Sequence, residues 1–184
     1  MSKRAVIVVD LQNDYFPSGK LPLIGIEQAV ANAARIIDAA RENGDPVIHV
    51  RHEFAAPDAP FFVPGTAGAD IHPAVAPLGN EQIVVKNHPN SFLNTGLKGA
   101  LDSMGIEEVV VIGAMSHMCI DAISRAASDF GYKTGVVHDA CATRDLEFHG
   151  QVVPAGQVHA ALMAALAFAY ATVTTTDEYL AHED

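Results

Sequence analysis

The sequence predicts an α/β fold: a single three-layer αβα domain over residues 1–184, with a six-stranded, Rossmann-like parallel sheet and helices on both faces. Three observations carry this. Short runs rich in valine and isoleucine recur along the chain, and continuous apolar runs of this length read as strands buried on both faces. Between them lie segments with apolar residues at three- and four-residue spacing, the period of an amphipathic helix. Strands alternating with helices build a parallel sheet covered by those helices.

The first strand is "AVIVVD" (5–10). A helix over 26–42 follows, with Ile26, Val30, Ala33, Ile37 and Ala40 on one stripe; Gly44 ends it and Pro46 prevents its continuation. "PVIHV" (46–50) is the second strand and "QIVVK" (82–86) the third. The stretch between them, 52–81, is rich in Pro, Gly and Ala and too long for a plain connection, which marks a functional or site-covering loop. A helix over 95–104 stops at Gly105 and leads to the fourth strand, "EVVVIG" (108–113). The next helix, 117–130, aligns Ile120, Ile123, Ala127 and Phe130 before Gly131. "TGVVHDA" (134–140), a helix over 154–168 with Pro154 in its first turn, and "YATVTTT" (170–176) complete the pattern.

Hydrophobic residues make up 49% and charged residues 18% of the chain, as in a well-buried globular protein. Eleven basic against 22 acidic residues give a net charge of −11. That balance disfavours nucleic acid and anionic membrane surfaces as partners and fits a protein handling a small molecule. Two cysteines are no disulfide framework, so a reducing, cytoplasmic setting is expected. The apolar start of the chain runs into Asp10 without the small-residue site of a secretion signal. Nucleotide binding is disfavoured too: the turn after the first strand, "VVDLQNDYF", has no glycine to admit phosphate.

Ligands of open parallel sheets bind beyond the carboxyl ends of the strands. Three reactive side chains stand there: Asp10 closes the first strand, Lys86 closes the third, and Cys119 opens the helix after the fourth. Each has an ordinary reading, as turn residue, solvated lysine and small buried hydrophobe respectively. Together each supplies what the others need. A lysine and a helix N-terminus lower a thiol pKa and favour thiolate. An aspartate accepts the thiol proton and returns it to a leaving amine. Ser116 is expected as the N-cap, which places Cys119 in the first turn, where backbone N–H groups are free to hold an oxyanion.

The sequence resembles the isochorismatase-like cysteine hydrolases, a superfamily that includes nicotinamidases, N-carbamoylsarcosine amidohydrolases and isochorismatases. The resemblance rests on "VVDLQNDYF", "PGTAGADIHP", "VVKNHPNSF", "VVIGAMSHMCIDAISRAASDFGYKTGVVHDACAT" and "VTTTDEYL", and covers nearly the whole chain. It implies a triad of Asp10 as general acid/base, Lys86 as electrostatic support and Cys119 as nucleophile. It also implies a cis peptide between Ala114 and Met115 that aims the Met115 N–H, with that of Cys119, at an oxyanion. Gln12, Phe16 and Phe92 are expected at the substrate, and a homo-oligomer, dimer or tetramer, is expected from the family's habit.

The chain departs from its named relatives in one place. Nicotinamidases of the superfamily carry a metal after the second strand, but "HVRHEF" puts His52 where an aspartate ligand is expected. His49 and His52 tend to face opposite sides of a strand. No metal and no cofactor are therefore expected, and His52 is assigned to the pocket mouth, with a plain loop histidine as the alternative. His117 lies about 200° from Cys119 around a helix and so belongs at the pocket rim or a subunit neighbour rather than beside the thiol. His88 is a second rim candidate, Cys141 is read as structural, and Phe61 and Phe62 serve either as a lid or as core anchors for the long loop.

Retention of Cys119 points to hydrolysis of a small amide or carbamoyl C–N bond. The rivals are vinyl-ether hydrolysis as in isochorismatases, using Asp10 and Lys86 alone, and a binding protein without turnover.

Overall fold

The computed structural model describes residues 3–56 and 58–181. Its centre is a six-stranded parallel sheet of β1 (Arg4–Val9), β2 (Val47–His52), β3 (Gln82–Lys86), β4 (Glu108–Ala114), β5 (Lys133–Ala142) and β8 (Thr172–Thr174), ordered β3-β2-β1-β4-β5-β8. β6 (Leu146–Phe148) and β7 (Gln151–Val153) form a separate antiparallel hairpin.

Alternate residues of β1 feed two cores. Val6 and Val8 pack with Val30 and Ile37 of α1 (Ile26–Asn43) and with Tyr179 of α5 (Thr176–Ala181). Ala5, Ile7 and Val9 pack with Leu101 of α2 (Leu97–Met104), Ile123 of α3 (Asp121–Asp129) and Leu166 of α4 (Ala155–Ala169). Each fully buried Val, Ile or Leu contributes about 1.5–3 kcal/mol, so both faces of every central strand must be apolar. This is why these strands read as unbroken hydrophobic runs.

Three helices end in the same motif. Gly44, Gly105 and Gly131 take left-handed φ values of 76°, 67° and 91°. Each glycine and the residue after it turn their N–H groups back onto the last helical carbonyls: Gly44 to Arg41 and Asp45 to Ala40, Gly105 to Asp102 and Ile106 to Leu101, Gly131 to Ser128 and Tyr132 to Ala127. The short loops into β2, β4 and β5 follow from this cap.

The expected helix over 117–130 is instead a π turn, Ser116–Ile120, continued by α3. Pro154 precedes α4 as its extended N-cap residue rather than sitting inside the first turn. The hairpin and α5 were not anticipated. The hairpin turns at His149 and Gly150, both with positive φ, the two-residue geometry that matches strand twist. Among the described residues no helix is long and apolar enough to cross a membrane.

Candidate active site

The site is built at the carboxyl ends of four neighbouring strands. Asp10 leaves β1 in a left-handed conformation (φ 53°), which Asp tolerates better than most residues, with its N–H on the Val50 carbonyl at 3.0 Å. Lys86 is the last residue of β3 and His52 the last of β2, and the two are register partners. Strands lie about 4.8 Å apart, so the Lys86 side chain must cross the end of β2, over His52, to reach β1. Cys119 arrives from the other side, in the π turn after β4. Gly113 permits that approach: its φ is 129°, and a Cβ there would overlap the Val9 carbonyl.

Lys86 Nζ lies 2.7 Å from Asp10 Oδ2, 2.8 Å from His52 Nδ1 and 3.2 Å from Cys119 Sγ. An ammonium can only donate; Lys86 makes an ion pair with Asp10 and hydrogen bonds to His52 and Cys119. The four side chains are buried, at 0% exposure for Asp10, 1% for Lys86, 5% for Cys119 and 6% for His52. The structure thus brings together the three residues proposed as a triad. It adds His52 as a direct partner of the lysine.

The electrostatics correct the expectation for the thiol. Cys119 is raised, not lowered, from its ordinary pKa: burial acts most, the Asp10 carboxylate adds to it, and the Lys86 ammonium only partly opposes them. For Lys86, burial pulls down, but Asp10 and Cys119 win and the pKa is raised. His52 is lowered to about 4 by burial and then by the Lys86 charge, so it is neutral at physiological pH. The resting site is therefore an ammonium–carboxylate pair beside a protonated thiol and a neutral imidazole. Tyr15, unremarked in the sequence, belongs to the same field: burial, then Asp10 and Cys119, hold its phenol protonated.

Ser116 is not the N-cap. Met115 occupies that position, and the Ser116 hydroxyl bonds Nδ1 of His159 on α4 at 2.8 Å and donates to the Ala142 carbonyl at 3.3 Å. The N–H groups of Met118 and Ile120 both reach the Met115 carbonyl, at 3.0 and 3.2 Å, and Cys119 lies between them. Such π turns concentrate at functional sites. The Ala114–Met115 peptide bond is cis.

The other expected substrate residues have the following surroundings. Gln12 is completely buried, and its amide is saturated within the chain: Nε2 donates to the His52 and Ala69 carbonyls at 2.9 and 2.8 Å, and Oε1 accepts the His52 N–H at 2.8 Å. It holds the long loop to the end of β2. Phe16 is stacked on His72, with ring centroids 3.9 Å apart. Phe92 packs edge-on against Phe130 at 5.1 Å, in the core beneath α2 and α3. His117 bonds the Thr143 hydroxyl at 2.6 Å, turned to the end of β5, and is lowered by burial and then by Arg144. His88 is exposed, within electrostatic reach of His52. Phe62 is a core anchor: its N–H donates to Asp14 Oδ2 at 2.7 Å and its ring contacts Tyr15 and His52. Cys141 donates to the Val137 carbonyl of its own strand at 3.4 Å, and burial raises its pKa to about 12.

Asp10, His52 and Cys119 offer ligand atoms within 4.8 Å of one another. The donor set resembles a metal site, but the Lys86 ammonium is bound to all three, so the positive charge such a set attracts is already supplied from within the chain. His49 faces the other side of the sheet, 3.0 Å from Glu81.

Residues 4–178 match the isochorismatase domain. The isochorismatase family protein YddQ of Bacillus subtilis is 51% identical over 176 residues, covering 96% of this chain and 98% of its own. A crystal structure of an isochorismatase hydrolase from Oleispira antarctica superposes with a TM-score of 0.95 at 52% identity, covering 98% of this chain and 97% of that one. N-carbamoylsarcosine amidase from Thermoplasma acidophilum superposes with a TM-score of 0.81 at 26% identity over 95% of this chain and 97% of that one. The chain belongs to the isochorismatase family of hydrolases.

Proposed function

We propose that this hydrolase cleaves the C–N bond of a small amide or carbamoyl compound through a covalent Cys119 intermediate. The observation that carries this reading is the buried line Asp10 Oδ2–Lys86 Nζ–Cys119 Sγ, at 2.7 and 3.2 Å. Likeness to an amidase supports it.

Because the resting thiol is protonated, attack and deprotonation belong together. Cys119 Sγ forms its bond to the carbonyl carbon as its proton passes to Asp10. The Met115 and Cys119 N–H groups receive the oxyanion. Asp10 then gives the proton to the leaving nitrogen as the C–N bond breaks. Water attacks the thioester, its proton goes to Asp10, and the thiol re-forms as the acid departs. Lys86 stays charged throughout, compensating whichever of Asp10 and Cys119 is negative. The working assembly in this reading is a homo-oligomer.

Ammonia release from a panel of small amides and ureas, compared between wild type and Cys119→Ala, tests the proposal. Loss of at least about 1,000-fold in Cys119→Ala is expected, in the range for removing an activated nucleophile. The raised thiol pKa favours one rival, vinyl-ether hydrolysis that uses Asp10 and Lys86 without covalent chemistry. Isochorismate turnover that survives Cys119→Ala would establish that rival instead.

A further inference from the structure

His52 carries a second donor that the triad leaves unused. Lysine can only donate, so Nδ1 of His52 must be the acceptor in its 2.8 Å bond to Lys86. A neutral ring that accepts at Nδ1 carries its hydrogen on Nε2. That Nε2 atom is buried and has no hydrogen-bond partner among the described residues. A buried, unpaired N–H is costly and calls for an explanation in a ligand or a water. It stands one imidazole ring away from the atom bound to Lys86, at the end of the strand next to Asp10. Phe54 and Phe62, with ring centroids 4.6 and 5.9 Å away, flank the imidazole with apolar walls.

We infer that the His52 Nε2–H is a substrate-recognition donor, and that it selects an uncharged carbonyl oxygen, as in an amide or urea, over a carboxylate. The inference rests on the amide-hydrolase reading for where substrate lies. The preference for an uncharged group follows from charge. Lys86, the ammonium in the site, is already ion-paired with Asp10 and hydrogen-bonded to His52 and Cys119. Arg51, beside His52 on β2, is paired with Glu53 at 2.6 Å. A carboxylate would meet a neutral N–H and no unpaired cation, in a buried site of a chain with net charge −11, and burying an unpaired charge is unfavourable.

The test is nitrogen-15 NMR of histidine-labelled wild-type protein, titrated with propanamide and, separately, with propanoate. The expected result is an Nε2–H tautomer for His52 at pH 7 and a shift of its Nε2 resonance with propanamide that propanoate does not produce. Two variants divide the ring's functions. His52→Asn keeps an acceptor near Nδ1 and loses the outer donor, so the propanamide Kd, followed at the Cys119 backbone amide, should rise at least tenfold. His52→Gln keeps a donor near Nε2 and should hold that Kd within threefold.

An Nδ1–H tautomer, an equal response to propanoate, or no response to either compound, which would assign Nε2–H to a bound water only, overturns the inference. Unchanged affinity in His52→Asn does the same. These outcomes are separable from the fate of the hydrolase reading. Amides hydrolysed without any His52 response would sink the recognition role alone, whereas a His52 response without hydrolysis would sink the reaction and leave the recognition standing.

Discussion

The Lys86 ammonium crosses the end of β2 to lie 2.7 Å from the Asp10 carboxylate, and neither side chain is open to solvent. Asp10 and Lys86 pull the Cys119 thiol in opposite directions, the first raising its pKa and the second lowering it.

Substitutions of the two should therefore have opposite effects on thiol reactivity. Asp10→Asn removes a charge that disfavours thiolate and leaves Lys86 facing the sulfur, so iodoacetamide should label Cys119 about tenfold faster at pH 7, one pKa unit being a factor of ten. Lys86→Met should slow the same labelling and also destabilise the fold by about 3–5 kcal/mol, because it strands a buried carboxylate. Cys141 should react alike in all three proteins. Mass spectrometry of the labelled peptides reads both rates, and movement in the same direction would contradict the arrangement.

Acid should weaken the fold in a defined window. His49, His52, His72, His117 and His159 are all lowered from 6.5, burial being the largest cause for each. In that range the unfolded chain binds more protons than the folded one, so stability is full above about pH 6.5 and falls as pH drops toward each folded pKa. For His52, lowered to about 4, the loss approaches about 3 kcal/mol. Calorimetry from pH 7 to pH 4 should show a falling Tm, and His52→Asn should make the slope shallower. A Tm that is flat across this window would contradict the neutral, buried imidazoles.

Gly113→Ala should be among the most damaging single methyl additions. The new Cβ would overlap the Val9 carbonyl, and a φ of 129° is strained for any L side chain. β1 and β4 carry Asp10 and lead to Cys119, so separating them affects stability and activity together. A loss of at least about 3 kcal/mol in urea unfolding is expected, in the class of substitutions at special backbone positions.

The outer face of α4 bears on the proposed assembly. Ala160, Ala161, Ala164, Ala165 and Phe168 are exposed along it, Phe168 at 92%, and no Asp, Glu, Lys or Arg occurs from Ala155 to Ala169. A helix apolar on all sides is normally covered, and a second copy of the chain is the expected cover. Sedimentation should show a dimer or larger species in wild type, with Ala164→Glu shifting it toward monomer. A monomeric wild type at micromolar concentration would contradict the oligomer.

The three reactive residues were legible because of where they stand. Residues that end β1 and β3, or follow β4, are brought together by any parallel sheet of this order. The three glycine-ended helices were legible for a similarly local reason, since each cap needs only a left-handed residue at its own position. The contact of His52 with Lys86 was not legible because it depends on register. Only the pairing of His52 with Lys86 shows that a lysine from β3 must pass over it to reach β1. Gln12 read as a substrate residue from its place in the first loop, yet its three bonds run to residues 40 and 57 positions away. The hairpin was missed because its turn pair, His149–Gly150, is not one of the Asn-Gly or Asp-Gly pairs that signal such turns in a sequence.

By itself, then, the sequence determined the alternation of strands and helices, the helix ends, and which side chains gather at one edge of the sheet. These depend on local periodicity, caps and chain order. Tertiary structure decided the protonation state of that gathering. Whether Cys119 rests as thiol or thiolate depends on burial set against two opposing charges a few ångströms away. Desolvation and Coulomb energy vary with distance through space, and neighbours along the chain do not record that distance.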